Sequence, residues 1–290
     1  MPGPTHCTTQ RPGRSSRPNS NGSKPGAPLG QHFLVDRQIE QRIVAALGAN
    51  AAAVVLEIGA GPGNMTRLLA EQVAHLVSVE IDRELAAKLH TSFAGNERVE
   101  IIHRDFLQVS LAEIAARHGG AKFLVFGNLP YYITTPILMK LFESHHLIER
   151  ILVMMQYEVA ERIVAAPGDA EYGLLAVTAQ FHAAPAILFK IPPGAFNPPP
   201  KVMSALVSLA IHPRASELGI ANQPEFWKWM RAAFSQKRKT LVNNWKQLAP
   251  PGGTADCLAR MALAPRVRAE ELSLPQLAAL HCQLCRYPGN

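Results

Sequence analysis

Glu57-Ile58-Gly59-Ala60-Gly61-Pro62-Gly63 is the stretch on which the reading of this chain turns. It closes residues 53–58, a short apolar and β-branched run that predicts a buried strand. Met65, Leu68 and Leu69 follow at the spacing that opens a helix. Glycines at alternate positions let the backbone turn sharply and approach a ligand where a Cβ would collide. Taken alone, such a turn fits many nucleotide-type ligands, and its surroundings must narrow the choice.

Working outward, the pattern alternates. Ile39, Ile43, Val44 and Leu47 have helical spacing that ends at Gly48. Residues 75–79, 99–102, 123–126 and 151–155 predict further strands, with helices over 85–93, 134–142 and 158–166. Short apolar strands alternating with helices indicate an α/β fold, a parallel sheet covered on both faces. Residues 187–191 and 202–211 are separated only by a proline-rich loop, too short for a crossover helix, so they are expected to pair antiparallel. Beyond His212-Pro213 no strand-like run occurs. Phe226, Met230 and Phe234, then Leu241 and Trp245, recur at fours, and Leu258, Met261, Leu274, Leu277 and Leu280 suggest two more helices. The expected organisation is an arm over 1–28, a catalytic domain over 29–212 and a small all-helical domain over 213–290.

At 290 residues and 48% hydrophobic content the chain can bury a full core. It has no apolar run of membrane-spanning length, so no membrane partner is expected. Arg11, Arg14 and Arg17 lack an apolar stretch behind them, and six prolines in the first 28 residues oppose an amphipathic targeting helix. A disordered cationic arm is the expectation there. Cys7, Cys257, Cys282 and Cys285 are too few and too unevenly placed for a disulfide framework, and Cys282-x-x-Cys285 has no second pair to complete a zinc site. We therefore expect ordinary thiols, no metal and a reducing, cytoplasmic setting. The net charge of +7 is unevenly spread. Residues 1–28 hold four basic side chains and no acid, residues 29–211 hold 14 basic and 17 acidic, and residues 212–290 hold 11 basic and 5 acidic. Basic flanks around a mildly acidic middle point to a polyanionic partner.

Glu80 closes the strand after the glycine turn, where a carboxylate can accept from ribose hydroxyls. Asp105, after the third strand, is placed to accept from an adenine amine; it also fits a helix cap ahead of Leu107. A dehydrogenase would use a similar turn for a pyrophosphate. Asp105 together with Asn128-Leu129-Pro130-Tyr131 favours S-adenosylmethionine, which has adenine and ribose but no phosphate. An aromatic amine is a poor nucleophile because its lone pair is conjugated into the ring. The Asn128 side-chain oxygen and the Leu129 carbonyl can each accept one N–H, hold the nitrogen in line and favour its developing positive charge. Pro130 stiffens the turn, and Tyr131 offers a face to a flipped-out base. Phe196, in a loop ending Pro198-Pro199-Pro200, is a candidate for the base's other face, with a core position as the alternative.

Leu29-Gly30-Gln31-His32-Phe33-Leu34, the glycine turn, Glu80, Asp105, 127–131 and 196–204 together resemble the ribosomal RNA adenine N6-dimethyltransferases. Lys237-Arg238-Lys239-Thr240-Leu241 and Arg268-Ala269-Glu270-Glu271-Leu272-Ser273 extend the resemblance to about residues 29–285, and look more like the bacterial small-subunit (16S) branch than the large-subunit resistance methylases. The resemblance implies a class I S-adenosylmethionine-dependent methyltransferase fold, Rossmann-like with a mostly parallel seven-stranded sheet and a helical C-terminal domain. It implies cofactor contacts at His32, Leu34, Gly59, Glu80, Asp105 and Asn128, and dimethylation of two adjacent adenosines in a hairpin loop near the 3′ end of small-subunit RNA during 30S assembly, by a monomer. Lys237, Arg238 and Lys239 are expected together on an RNA-binding helix. A large-subunit resistance methylase and a non-catalytic assembly or transcription factor on the same fold are the alternatives. The sequence departs from the family at Tyr157, where Lys is usual, and at Tyr172-Gly173-Leu174-Leu175-Ala176-Val177, which lacks the usual Arg and Ser.

Overall fold

The computed structural model describes Met1, Gly3 and residues 31–130 and 133–287. The expected arm over 1–28 (apart from Met1 and Gly3), Leu29, Gly30 and Tyr131 lie outside the described residues. From His32 onward the chain is one compact unit.

The elements run in the order β1 (Phe33–Leu34), α1 (Arg37–Leu47), β2 (Val54–Ile58), α2 (Asn64–Ala70), β3 (His75–Glu80), α3 (Arg83–Ser92), β4 (Val99–His103), α4 (Leu111–Arg117) and β5 (Phe123–Asn128). There follow α5 (Thr134–Glu143), β6 (Ile148–Gln156), α6 (Tyr157–Val164), α7 (Leu174–His182), β7 (Ala183–Ile191), β8 (Phe196–Asn197) and β9 (Ser204–Ile211). The last four are α8 (Gln223–Ala233), α9 (Leu241–Trp245), α10 (Gly253–Arg260) and α11 (Leu274–Cys285).

Seven strands form one sheet in the order β4-β3-β2-β5-β6-β9-β7. Within it β9 alone is reversed, pairing antiparallel with both β6 and β7, as the short proline loop requires. Period-two alternation explains why these strands are buried on both faces. Val54, Leu56 and Ile58 of β2 join Val125 of β5 and Val153 of β6 in the core beneath α4, α5 and α6. Val55, Leu124, Phe126, Leu152 and Met154 face the opposite core, beneath α1 and α2. Helix α1 starts on an Asp36 cap that accepts from Gln38 and Ile39 backbone N–H, and ends on Gly48 at φ +63°.

A third core holds the C-terminal helices: Phe226, Trp229, Leu241, Trp245, Leu258, Leu277 and Leu280 are all buried there. Tyr172, Ala176, Val177 and Phe181, on and just before α7, are buried in that same core. Chain order β2, β3, β4 builds outward on one side, and β5 then returns to the other side of β2. The sheet therefore reverses its winding between β2 and β5, which is where α/β sheets open a crevice at the strands' carboxyl ends.

Candidate active site

Ile58 and Gly127 are register partners, so the glycine turn after β2 and the Asn128 segment after β5 leave the sheet side by side. Gly59, Gly61 and Gly63 all have positive φ. At Gly61, φ +58°, an added Cβ would stand 3.0 Å from the Phe33 ring, and at Gly63 one would stand 2.7 Å from Leu89. Only glycine fits this turn, for conformational and steric reasons together.

Glu80 is 1% exposed. Its Oε2 accepts from Gly61 N at 2.8 Å and its Oε1 from Asp82 N at 2.9 Å. The carboxylate thus braces the glycine turn directly, a role that strand-end position alone did not reveal. Glu57 is fully buried on the neighbouring strand, and its Oε2 accepts from Thr66 Oγ1 at 2.7 Å and Ser78 Oγ at 2.6 Å. Its Oε1 has no hydrogen-bond partner among the described residues, and the residue lines the cleft formed with Gly59, Asn64, Met65 and Asn128. Burial pushes the Glu57 carboxyl up to about 7, against the two hydroxyl bonds that hold it down; the nearby Glu80 charge adds to the rise.

Asp105 is half-buried and caps a single 3₁₀ turn over Phe106–Gln108, its Oδ1 accepting from Leu107 N at 2.9 Å. That cap is tied to α5 by Lys140, whose Nζ donates to the carbonyls of Phe106, Leu107 and Val109. Lys140 was not among the residues expected at the site. Burial lowers its pKa, opposed by Asp105.

His32 and Leu34 approach from the other side. Strand β1 pairs antiparallel with β8, Phe33 opposite Asn197 and Leu34 opposite Phe196. The His32 Nδ1 lies 2.8 Å from the Pro198 carbonyl, and Asn64 Nδ2 donates to the Leu34 carbonyl. Asn128 Nδ2 donates to the His32 carbonyl at 2.8 Å. That bond fixes the amide so that Oδ1 is its acceptor end. Leu129 N donates to the Met154 carbonyl, while the Pro130 carbonyl accepts from Ile133 N and Thr134 Oγ1. Among the described residues, neither Asn128 Oδ1 nor the Leu129 carbonyl accepts a hydrogen bond. Two acceptors on consecutive residues thus lack a donor among the described residues, and Leu129 itself is buried.

Phe196 is 4% exposed and sits in the core beneath α1 and α2 with Leu34 and Ile191. In this conformation its ring is a wall of the fold and presents no open face. The expected helix carrying Lys237, Arg238 and Lys239 is corrected: α8 ends at Ala233 and α9 begins at Leu241, so the three lie in the turn between them. The regular spacing of Phe234, Leu241 and Trp245 continued across a break that the Thr240 cap on Asn243 N marks. All three cations are exposed, and Lys237 Nζ donates to the Ala170 carbonyl at 2.6 Å.

The sequence matches the family described as "Ribosomal RNA adenine dimethylase" over residues 23–281. It is 47% identical over 253 residues to a "Ribosomal RNA small subunit methyltransferase A" of Acidobacterium capsulatum, covering 87% of this chain and 88% of that one. A protein of the same name from Koribacter versatilis is 40% identical over 283 residues, covering 94% and 99%. Among solved structures, the fold is similar to a dimethyladenosine transferase from Plasmodium falciparum, with TM-score 0.75 and 23% identity over 88% of this chain and 98% of that one. It is also similar to the 23S rRNA methyltransferase ErmE, with TM-score 0.68 and 24% identity over 87% and 99%.

Proposed function

Because the chain belongs to the ribosomal RNA adenine dimethylase family, we propose that the crevice between β2 and β5 is where it methylates adenine N6, with small-subunit RNA as the substrate. The protein is an S-adenosylmethionine-dependent ribosomal RNA adenine dimethyltransferase. The single observation that supports this placement best is the pair of acceptors that no donor among the described residues uses, Asn128 Oδ1 and the Leu129 carbonyl.

The residues present fit the cofactor. A glycine turn that no Cβ could enter leaves backbone room, and the unpartnered Glu57 Oε1 is a buried polar atom on the same cleft. Leu34 and Gly59 line it and His32 lies next to them in the chain, while Glu80, whose oxygens already brace the glycine turn, would have remaining lone pairs for ribose hydroxyls and Asp105 would take the adenine amine. The cofactor supplies an activated methyl group on a sulfonium. The chain's own part is to accept both N–H bonds of the target amine at Asn128 and Leu129. This turns the nitrogen's lone pair out of conjugation and favours the positive charge it develops. Once methylated, the nitrogen is acidic enough to lose its proton to water. Tyr131 gives the extruded base a stacking face, while Phe196, buried with Leu34 and Ile191, backs the site from the core.

The finer reading is that the target is two adjacent adenosines in a hairpin near the 3′ end of 16S RNA, within a 30S assembly intermediate. Residues 213–290 form the basic RNA-binding part, with Lys237, Arg238 and Lys239 on phosphates. A cytoplasmic monomer goes with this reading; no described helix is long and apolar enough to cross a membrane. Primer extension across unmethylated small and large ribosomal RNAs, after incubation with enzyme and labelled cofactor, tests it. Stops at two neighbouring adenosines of the small RNA are expected, and stops confined to the large RNA would overturn the substrate assignment.

A further inference from the structure

A second cavity, of about 650 Å³, opens where α5, α6, α7 and α8 meet. Its volume falls within the roughly 300–1,000 Å³ typical of small-ligand sites. Helix α5 is the one that leaves the Asn128-Leu129-Pro130 turn, and its Thr135 lines the cavity, so this space adjoins the proposed methylation site along the chain.

The cavity is lined by stacked rings. Phe142 and His182 lie 5.1 Å apart at 9°, and His182 and Trp227 lie 6.0 Å apart at 15°, so three near-parallel rings follow one another. Phe142 and His182 are buried, while Trp227 is only half-buried. His182 is 7% exposed and its Nδ1 has no hydrogen-bond partner among the described residues. Burial, with the neighbouring His145, lowers its pKa to about 4, so the ring is neutral at physiological pH and stacks without a charge to solvate. Two cations, Arg162 and Arg231, also line the cavity; both are exposed, and neither makes an ion pair or side-chain hydrogen bond among the described residues. One acid, Glu143, lies with them, leaving the rim net positive.

Phe142 and His182 are covered, so the half-buried Trp227 is the ring left to meet a ligand, backed by the other two. An aromatic ring beside unpaired guanidinium groups is the chemistry that holds an unpaired nucleotide: the ring stacks on the base and arginines meet the flanking phosphates. We propose that this cavity takes one unpaired base of the RNA substrate, distinct from the methylated adenosines, and so sets which loop the active site receives. The proposal rests on the RNA-methylating reading above. It differs from a general basic surface because it requires one base in a ring-lined cavity.

The test uses the full chain and unmethylated small ribosomal subunits, with chemical probing of base edges and a binding titration. Met139 lines the cavity and is 38% exposed, so Met139→Trp fills the space from an open position with little demand on the core. Wild type should protect one unpaired base besides the methylated pair. Met139→Trp should lose that protection, weaken subunit binding about tenfold, the scale of one lost base stack, and keep its cofactor affinity. Trp227→Leu, checked for folding by circular dichroism, should do the same. An unchanged footprint and affinity in Met139→Trp would overturn the proposal, as would protection only along paired phosphates or filling of the cavity by an apolar additive with no effect on RNA. If wild type itself leaves the small subunit unmethylated, the underlying reading fails instead.

Discussion

Asn128 donates its Nδ2 to the His32 carbonyl, and the proposed reaction gives its Oδ1 to the substrate amine. Asn128→Ala removes both. It should leave cofactor and RNA binding within about tenfold while lowering the single-turnover methylation rate by roughly 10²-fold or more, the pattern of lost transition-state positioning. Rapid-quench measurement checks this, and near-normal turnover would remove Asn128 from the reaction. Glu57 makes a different, pH-dependent contribution. Its carboxyl titrates at about 7 when folded, against an ordinary value of 4.5. Between those values the folded protein keeps a proton that the unfolded chain has released. Stability therefore falls as pH rises across that window and is level above it. Glu57→Gln should flatten this part of the profile. Denaturant titrations across that window and on into mildly alkaline solution read it directly, and parallel profiles for the two proteins would refute the assignment.

At the scale of elements, the turn between α8 and α9 holds three exposed cations, of which Lys237 already donates to the Ala170 carbonyl. Replacing Lys237, Arg238 and Lys239 with Gln should weaken binding to any structured RNA. It should also reduce the slope of log affinity against log salt by about 0.7–0.9 for each phosphate that is no longer neutralised, with cofactor affinity unchanged. Filter binding at several salt concentrations decides; an unaltered slope would mean the turn faces solvent in the complex. Several elements were legible: β5 and β6 hold continuous apolar runs at 123–126 and 151–155, β2 and β3 are short apolar runs broken by Glu57 and Ser78, and the glycine turn announces itself. Others were not. Helix α7 is apolar nearly all round because it is buried between the sheet's helical cover and the C-terminal core, so no amphipathic stripe marks it. Helix α4 did carry a signal, Ser110 capping Glu113 N, on a segment too short to show two turns of period. Strands β1 and β8, two residues each, are below any pattern, yet they bring His32 and Leu34 to the crevice. Lys140 was invisible for a different reason: its three carbonyl partners exist only once the Phe106–Gln108 turn has formed.

In the whole molecule, a division at residue 212 cuts through a shared core. Tyr172, Ala176, Val177 and Phe181 precede the cut but are buried among residues that follow it. The larger of these side chains are worth about 1.5–3 kcal/mol each when fully buried, and a chain ending at 212 leaves them exposed. Such a fragment should bind an apolar dye and self-associate in sedimentation. A monodisperse fragment that still binds cofactor would instead make 29–212 a domain in its own right. The reversed strand β9 has a further consequence, for a chain emerging from a ribosome. Strand β6 is synthesised long before β9, and β7 has no other neighbour in the sheet. A nascent chain that has reached Ile191 therefore shows an open edge on β6 and carries β7 with nothing to pair to, the kind of surface that invites association with other chains. The eight residues of β9 close both at once, so the last strand made is the keystone of the sheet.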